Sequence, residues 1–170
     1  MAIIVGIDPG TRVLGYGVVK IENGDVRHWA HGIFRAQHGA GMAERLAFLA
    51  QELAKCLALY QPEVVVVERV FLGKNVESAF ALGHIRGVCL SEAAQLGAQV
   101  AEHAVRQVKK GITGNGNASK EHVQFILRHE FALREPLPLD ASDALALANY
   151  HARQLLLAER WRAQEKGSSL

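Results

Sequence analysis

The feature that most restricts the fold of this chain is the run Val64-Val65-Val66-Val67 inside "EVVVVERV". Side chains on a strand alternate between faces, so four consecutive valines need apolar cover on both sides. That is the situation of a central strand with helices above and below it. The flanking pattern agrees. Met42, Leu46, Leu49, Leu53, Cys56, Leu57 and Tyr60 recur at three and four residues, one face of a helix, and Pro62 follows its end. Residues 75–97 read as a second helix, although Gly83 and Gly87 each cost roughly 1 kcal/mol relative to alanine inside one. Glycines four apart allow another backbone to come close, either a strand of this chain or a second subunit.

Before the valine run, residues 2–8 read as a strand, Asp8-Pro9-Gly10-Thr11 as a turn, "VLGYGVVKI" as a glycine-spaced second strand and residues 26–35 as a third. Their connections are too short for crossover helices, so an antiparallel meander is expected. After the second helix, "QVAEHAV" offers a fifth strand and "TGNGNASK" a loop. Ser119 can cap a helix carrying Val123, Ile126, Leu127 and Phe131 on one side. "REPLPLD" is extended, and a last helix begins at about Ala141. The chain turns polar after Ala158 and ends Gly-Ser-Ser-Leu, which suggests one domain over residues 1–158 and a flexible tail over 159–170. The expected fold class is α/β, a mixed five-stranded sheet flanked by helices.

At 170 residues the chain can bury a core without disulfides or a structural metal. Its 49% hydrophobic and 21% charged residues are ordinary for a globular domain. No apolar stretch approaches the roughly 20 residues of a membrane span, and no secretory signal is apparent, so a cytoplasmic address is expected. Cys56 and Cys89 sit in helical apolar patterns without zinc-finger spacing and read as buried free thiols. A formal net charge of +2 does not imply nucleic acid. Its distribution says more, because Arg106, Lys109, Lys110 and Lys120 lie in a stretch from His103 to Lys120 that has no acid. Such a run is either a solvated face or a phosphate-binding one.

The chain's four aspartates are Asp8, Asp25, Asp140 and Asp143. Asp8 ends the first strand, Glu68 ends the valine strand, and Asp140 with Asp143 opens the last helix. Taken singly these are a turn residue, a solvent-facing charge and a helix cap with its first-turn acid. Neighbouring strands, however, would bring Asp8 and Glu68 together at their carboxyl ends, where open α/β sheets place their sites. Asp140 and Asp143, three apart, share one helix face. Carboxylates gathered from three elements require neutralisation, and all-oxygen ligation suits magnesium or manganese. Two such ions about 3.5–4 Å apart can activate a water and stabilise the leaving oxygen at a phosphodiester. No Ser-His-Asp or Cys-His arrangement and no Walker A pattern competes, and His31 and His38 read as surface residues.

The blocks "GIDPGTRVLGYGVV", "VVVERVFLGKNVESAFALGHIRGV", "RQVKKGITGNGNASKEHV" and "DASDALALA", in this order, resemble the RuvC-type Holliday-junction resolvases. The likeness runs from about Ala2 to Ala158. It implies a ribonuclease H-like fold and a homodimeric, metal-dependent endonuclease of four-way DNA junctions, acting in homologous recombination and repair by paired nicks that leave 5′-phosphate and 3′-hydroxyl ends. It assigns Asp8, Glu68, Asp140 and Asp143 to the catalytic metal site for two Mg2+ ions per subunit, with Mn2+ as a substitute. Some members carry histidine at the position of Asp140, so a four-carboxylate site is expected here. Lys109 and Lys120 match lysines near the scissile phosphate, and Phe71 matches an aromatic wedge at the exchange point. Arg106 and Lys110 complete the expected DNA-binding set. The Gly83/Gly87 helix would pair across a two-fold axis, and a branch-migration helicase complex of RuvA and RuvB type is an implied partner.

Two rivals share parts of this pattern. Actin-like sugar kinases and ATPases also end their first strand in an Asp-x-Gly-Thr phosphate turn, but they need two such domains and have no use for Asp140 with Asp143. A junction-binding protein with a degenerate site would not need the acidic set intact.

Overall fold

The computed structural model describes residues 1–69 and 76–167. Three antiparallel strands, β1 (Ala2–Asp8), β2 (Val13–Glu22) and β3 (Asp25–Arg35), form the expected meander. Helix α1 (Met42–Tyr60) leads to β4 (Val64–Arg69), α2 (Val76–Leu96) to β5 (Gln99–Ala104), and α3 (Val105–Thr113), α4 (Lys120–Glu130) and α5 (Leu139–Gly167) complete the order. The sheet runs β3-β2-β1-β4-β5, with β4 parallel to both β1 and β5. The valine strand is therefore an interior one, and Val65, Val66 and Val67 are fully buried. This is the five-stranded mixed sheet of the ribonuclease H-like fold.

Strand parity divides the core in two. Val5, Ile7, Val65 and Val67 pack with Leu49, Leu53 and Leu57 of α1 and Ile85 and Cys89 of α2. Ile4, Val64 and Val66 face the other way, toward Val108 of α3, Val123 and Leu127 of α4 and Leu145 of α5. Both cysteines are buried, and burial pushes their thiols up to about 12, so they are inert packing groups.

Three elements depart from expectation. Helix α3, for which the sequence offers only a basic run, forms because Val108 and Ile112 are buried one turn apart, and it stops at Gly114 in the left-handed region at φ 79°. Helix α5 continues to Gly167 past the expected boundary at Ala158, since the residues after 158 are polar but good helix formers. Gly83 and Gly87 do not receive a strand of this chain. A Cβ at either would meet nothing within 4 Å among the described residues.

The sheet glycines on which α5 packs closely are Gly6, Gly15 and Gly17. They lie side by side on the α5 face, Gly6 opposite Gly17 and Gly15 opposite Asp8. A Cβ on Gly6 would strike the Ala144 carbonyl and come within 2.8 Å of the Ala148 nitrogen. On Gly15 it would strike the Asp140 carbonyl, and on Gly17 it would meet the Leu145 backbone. The helix contributes Ala141, Ala144 and Ala148 to this contact, all buried. Glycine trough and alanine ridge let α5 settle close enough for its first turn to overhang the end of β1. Gly17→Ala is expected to cost about 1–3 kcal/mol by overpacking, whereas Gly83→Ala in exposed helix should be neutral or stabilising by up to roughly 1 kcal/mol in the monomer. Denaturant unfolding of the two variants checks the contrast.

Candidate active site

Parity places the first two carboxylates. Asp8 follows Ile4 and Gly6 on the α5 face of β1, and Glu68 follows Val64 and Val66 on the same face of β4. The two strands pair in parallel with Ile7 opposite Val67, so the next residue of each brings Asp8 beside Glu68. Their carboxyl groups share a hydrogen bond. Helix α5 begins where the Pro138 carbonyl accepts the Ser142 N–H at 2.8 Å. Its first turn brings Asp140 and Asp143 over the same end of the sheet.

The electrostatics show how tightly these groups are gathered. Burial, reinforced by the charges of Glu68, Asp143 and Asp140, drives the Asp8 carboxyl up to about 8, against an opposing pull from Lys120. Glu68 is raised too, by burial and then by Asp143, with its hydrogen bond to Asp8 and the nearby Lys120 and Lys109 lowering it in part. Lys120 stands at the start of α4, whose Ser119 cap accepts the His122 N–H at 3.1 Å. Its ammonium pairs with Oδ2 of Asp143. Burial alone would lower the Lys120 pKa, but that bond, with the charges of Asp143, Asp8 and Asp140, outweighs it and the pKa is raised.

Lys109 joins this group from α3. Its Nζ donates to the Ala118 carbonyl at 2.7 Å, bracing the loop before Lys120. Glu68, Lys109, Lys120 and Asp143 line a cleft of about 90 Å³ whose remaining wall includes Val105 and Val108. The fold thus gathers Asp8, Glu68, Asp140, Asp143, Lys109 and Lys120. Arg106 and Lys110 do not join them. They line a separate open groove with Asn115 and Asn117. Phe71 lies outside the described residues. His31 is half-buried, bonded to His28 at 2.9 Å and to the Pro136 carbonyl at 3.0 Å, and His38 is exposed.

One neighbour has no signal in the sequence. His103 stands opposite Glu68 across β4 and β5, shares a hydrogen bond of 2.9 Å with His151 and meets the Tyr150 ring edge-on. No spacing rule connects positions 103 and 151.

Among the described residues no three acidic, histidine or cysteine side chains converge as a ready-made metal cage. The Lys120 ammonium already holds one Asp143 oxygen. The donor chemistry nevertheless fits a hard divalent cation, since every acidic donor is a carboxylate. The same positive charge would relieve the repulsion that raises Asp8 and Glu68. Asp8 and Glu68, with Asp143 or Asp140, could supply such ligands.

The raised Asp8 pKa has a definite consequence for the metal-free protein. The unfolded chain releases this proton near 3.8, whereas the folded protein holds it up to about 8. Between those values the folded state binds more protons, so the Asp8 contribution to stability falls as pH rises. His28, His103 and His151, lowered by burial first, act in the opposite direction as they deprotonate. In chelator, thermal melts from pH 5 to pH 9 should therefore show Asp8→Asn gaining stability relative to the parent chain as pH rises. A constant difference would contradict the burial of this carboxylate.

A model of the family described as crossover junction endodeoxyribonuclease RuvC matches residues 4–151. The protein of that name from Bdellovibrio bacteriovorus is 48% identical over 153 residues, covering 90% of this chain and 91% of the relative. The one from Stutzerimonas stutzeri is 40% identical over 152 residues, covering 89% and 87%. The structure of Thermus thermophilus RuvC in complex with a Holliday junction substrate superposes with a TM-score of 0.83 at 31% identity, covering 93% of this chain and 97% of that one. With the match spanning nearly every element described above, the chain belongs to the RuvC family of crossover junction endodeoxyribonucleases.

Proposed function

We propose that this chain resolves four-way (Holliday) DNA junctions in homologous recombination and repair, by paired symmetric nicks that leave 5′-phosphate and 3′-hydroxyl ends. The observation that carries the reading is the gathering of carboxylates from three elements, Asp8 on β1, Glu68 on β4 and Asp140 with Asp143 on α5, beside Lys109 and Lys120. Such a cluster suits a place where cations and a phosphate meet. Two Mg2+ ions per subunit, or Mn2+ in their place, would supply Lewis-acid activation of water and neutralise the leaving oxygen. Asp8, central to the four acids, would be a ligand to both ions, with Glu68 contributing to one position and Asp140 and Asp143 to the other. Lys120 would exchange its Asp143 contact for a phosphate oxygen and offset the charge that grows as the bond breaks. Lys109 positions the Ala118 to Lys120 segment and faces the same cleft. Arg106, Lys110 and Phe71 would contact the DNA away from the reacting atoms.

A junction has two equivalent strands, so a two-fold assembly suits it. Helix α2 supports a homodimer. Val76, Phe80, Gly83 and Gly87 recur along one exposed stripe, with Val76 66% and Phe80 68% exposed. The nuclease unit comprises residues 1–158. Its partner would be a branch-migration complex of RuvA and RuvB type, and its compartment the cytoplasm.

A mobile junction labelled on each strand in turn tests the reading. With Mg2+ the parent protein should nick opposing strands symmetrically. Asp8→Asn should bind with cleavage lowered by at least about 1,000-fold, and Lys120→Ala should lose roughly 100- to 1,000-fold. Binding without cleavage in Mg2+ or Mn2+ across several junction sequences would reduce the chain to a binding module. A Cβ at Gly83 or Gly87 meets nothing within 4 Å among the described residues and both positions are exposed, so replacing both by leucine should leave the fold of the monomer intact. Sedimentation should therefore show a folded monomer in place of the dimer.

A further inference from the structure

Three arginines that belong to none of the features above converge at the same end of the sheet. Arg12 follows the turn after Asp8, Arg35 ends β3 opposite Val13, and Arg45 lies in the first turn of α1. The Arg12 carbonyl accepts the Ala36 N–H at 2.9 Å, which locks the two segments together. With Gln37 and His38 the arginines line a hollow of about 470 Å³ that no carboxylate enters. Among the described residues none of the three pairs with an acid, although Arg27, on the same β3, pairs with Asp25 and Glu22. Arg12 and Arg35 are exposed. Arg45 reaches Met42 Sδ at 3.7 Å, and its Nε is buried without a partner.

Guanidinium groups left unpaired around one hollow repel each other unless an anion joins them, and their planar donor forks match phosphate oxygens. The strand order says which anion. Arg35 on β3 lies two strands from β1, roughly 10 Å at the spacing of paired strands. Arg106 and Lys110 follow β5, two strands away on the other side. The carboxylate cluster is thus bracketed by basic groups on both flanks, along a line of several nucleotides at about 3.4 Å of rise each.

We infer that Arg12, Arg35 and Arg45 form a second backbone cradle that grips phosphates of a junction arm on the β3 side of the cut. The inference rests on the proposed junction-resolving function. A cradle that grips phosphate positions DNA without reading its sequence.

Junction affinity measured in chelator at several salt concentrations tests the cradle. For the double variant Arg12→Gln/Arg35→Gln, binding should weaken about 10- to 100-fold near 0.1 M salt, and the slope of log affinity against log salt should fall by roughly 1.5–2. Arg12→Lys/Arg35→Lys, which keeps the charge, should recover most of the slope and so excludes misfolding as the cause. Arg27→Gln removes the same charge at the opposite end of the sheet and should bind like the parent. Parent-like affinity and slope in the double glutamine variant would overturn the cradle, as would an equal loss in Arg27→Gln. Failure of the parent protein to bind the junction would overturn the function on which the cradle rests.

Discussion

The close seating of α5 on β1 and β2 is the contact on which the rest depends. Gly6, Gly15 and Gly17 remove the side chains that would hold the helix off the sheet, and Ala141, Ala144 and Ala148 let it descend. An ordinary helix-to-sheet distance of about 10 Å leaves room for a layer of large side chains. Here the layer is missing over the strand ends, so the first turn of α5 lies against the strand residues themselves. Asp140 and Asp143 gain their proximity to Asp8 from this omission. The same trough explains the glycine spacing of β2, which is poor strand chemistry in isolation.

Bringing four acids together has an energetic cost that the fold meets in part. The Lys120 ammonium on Asp143 and the hydrogen bond between Asp8 and Glu68 compensate some of the repulsion. Burial, together with the repulsion that remains, raises the Asp8 pKa. A polar site under this strain is characteristic of function, since packing alone would select apolar residues at the ends of two buried strands. The lysines reach the acids because α3 and α4 pack on the α5 side through Val108, Ile112, Val123 and Leu127. Lys109 braces the loop that delivers Lys120. Each positive group thus stands on an element anchored in the core.

Charge elsewhere follows the sheet's polarity. The carboxyl ends of β1, β4 and β5 and the turn between β1 and β2 all open on one edge, so Arg106, Lys110, Arg12 and Arg35 flank the acids without entering them. The net charge of +2 conceals this separation. A modest total is compatible with a strongly patterned surface, in which the field at one edge decides what the protein can hold.

Much of this was legible in the residues themselves. Valine periodicity identified the interior strand, short connections the meander, and helical spacing the faces of α1 and α4, because local sterics and the alternation of strand side chains act within a few residues. The positions of Asp8, Glu68, Asp140 and Asp143 at element ends made them candidates, and family likeness added their roles. Helix α3 escaped notice because two buried apolar residues are too few to establish a period. The His103 and His151 pair and the three arginines escaped because they come from segments far apart in the chain. Local rules determine which elements exist and which residues stand at their ends. Whether those ends meet is decided by packing distance, and here that distance is set by the absence of three side chains, whose effect appears only when the helix lies on the sheet.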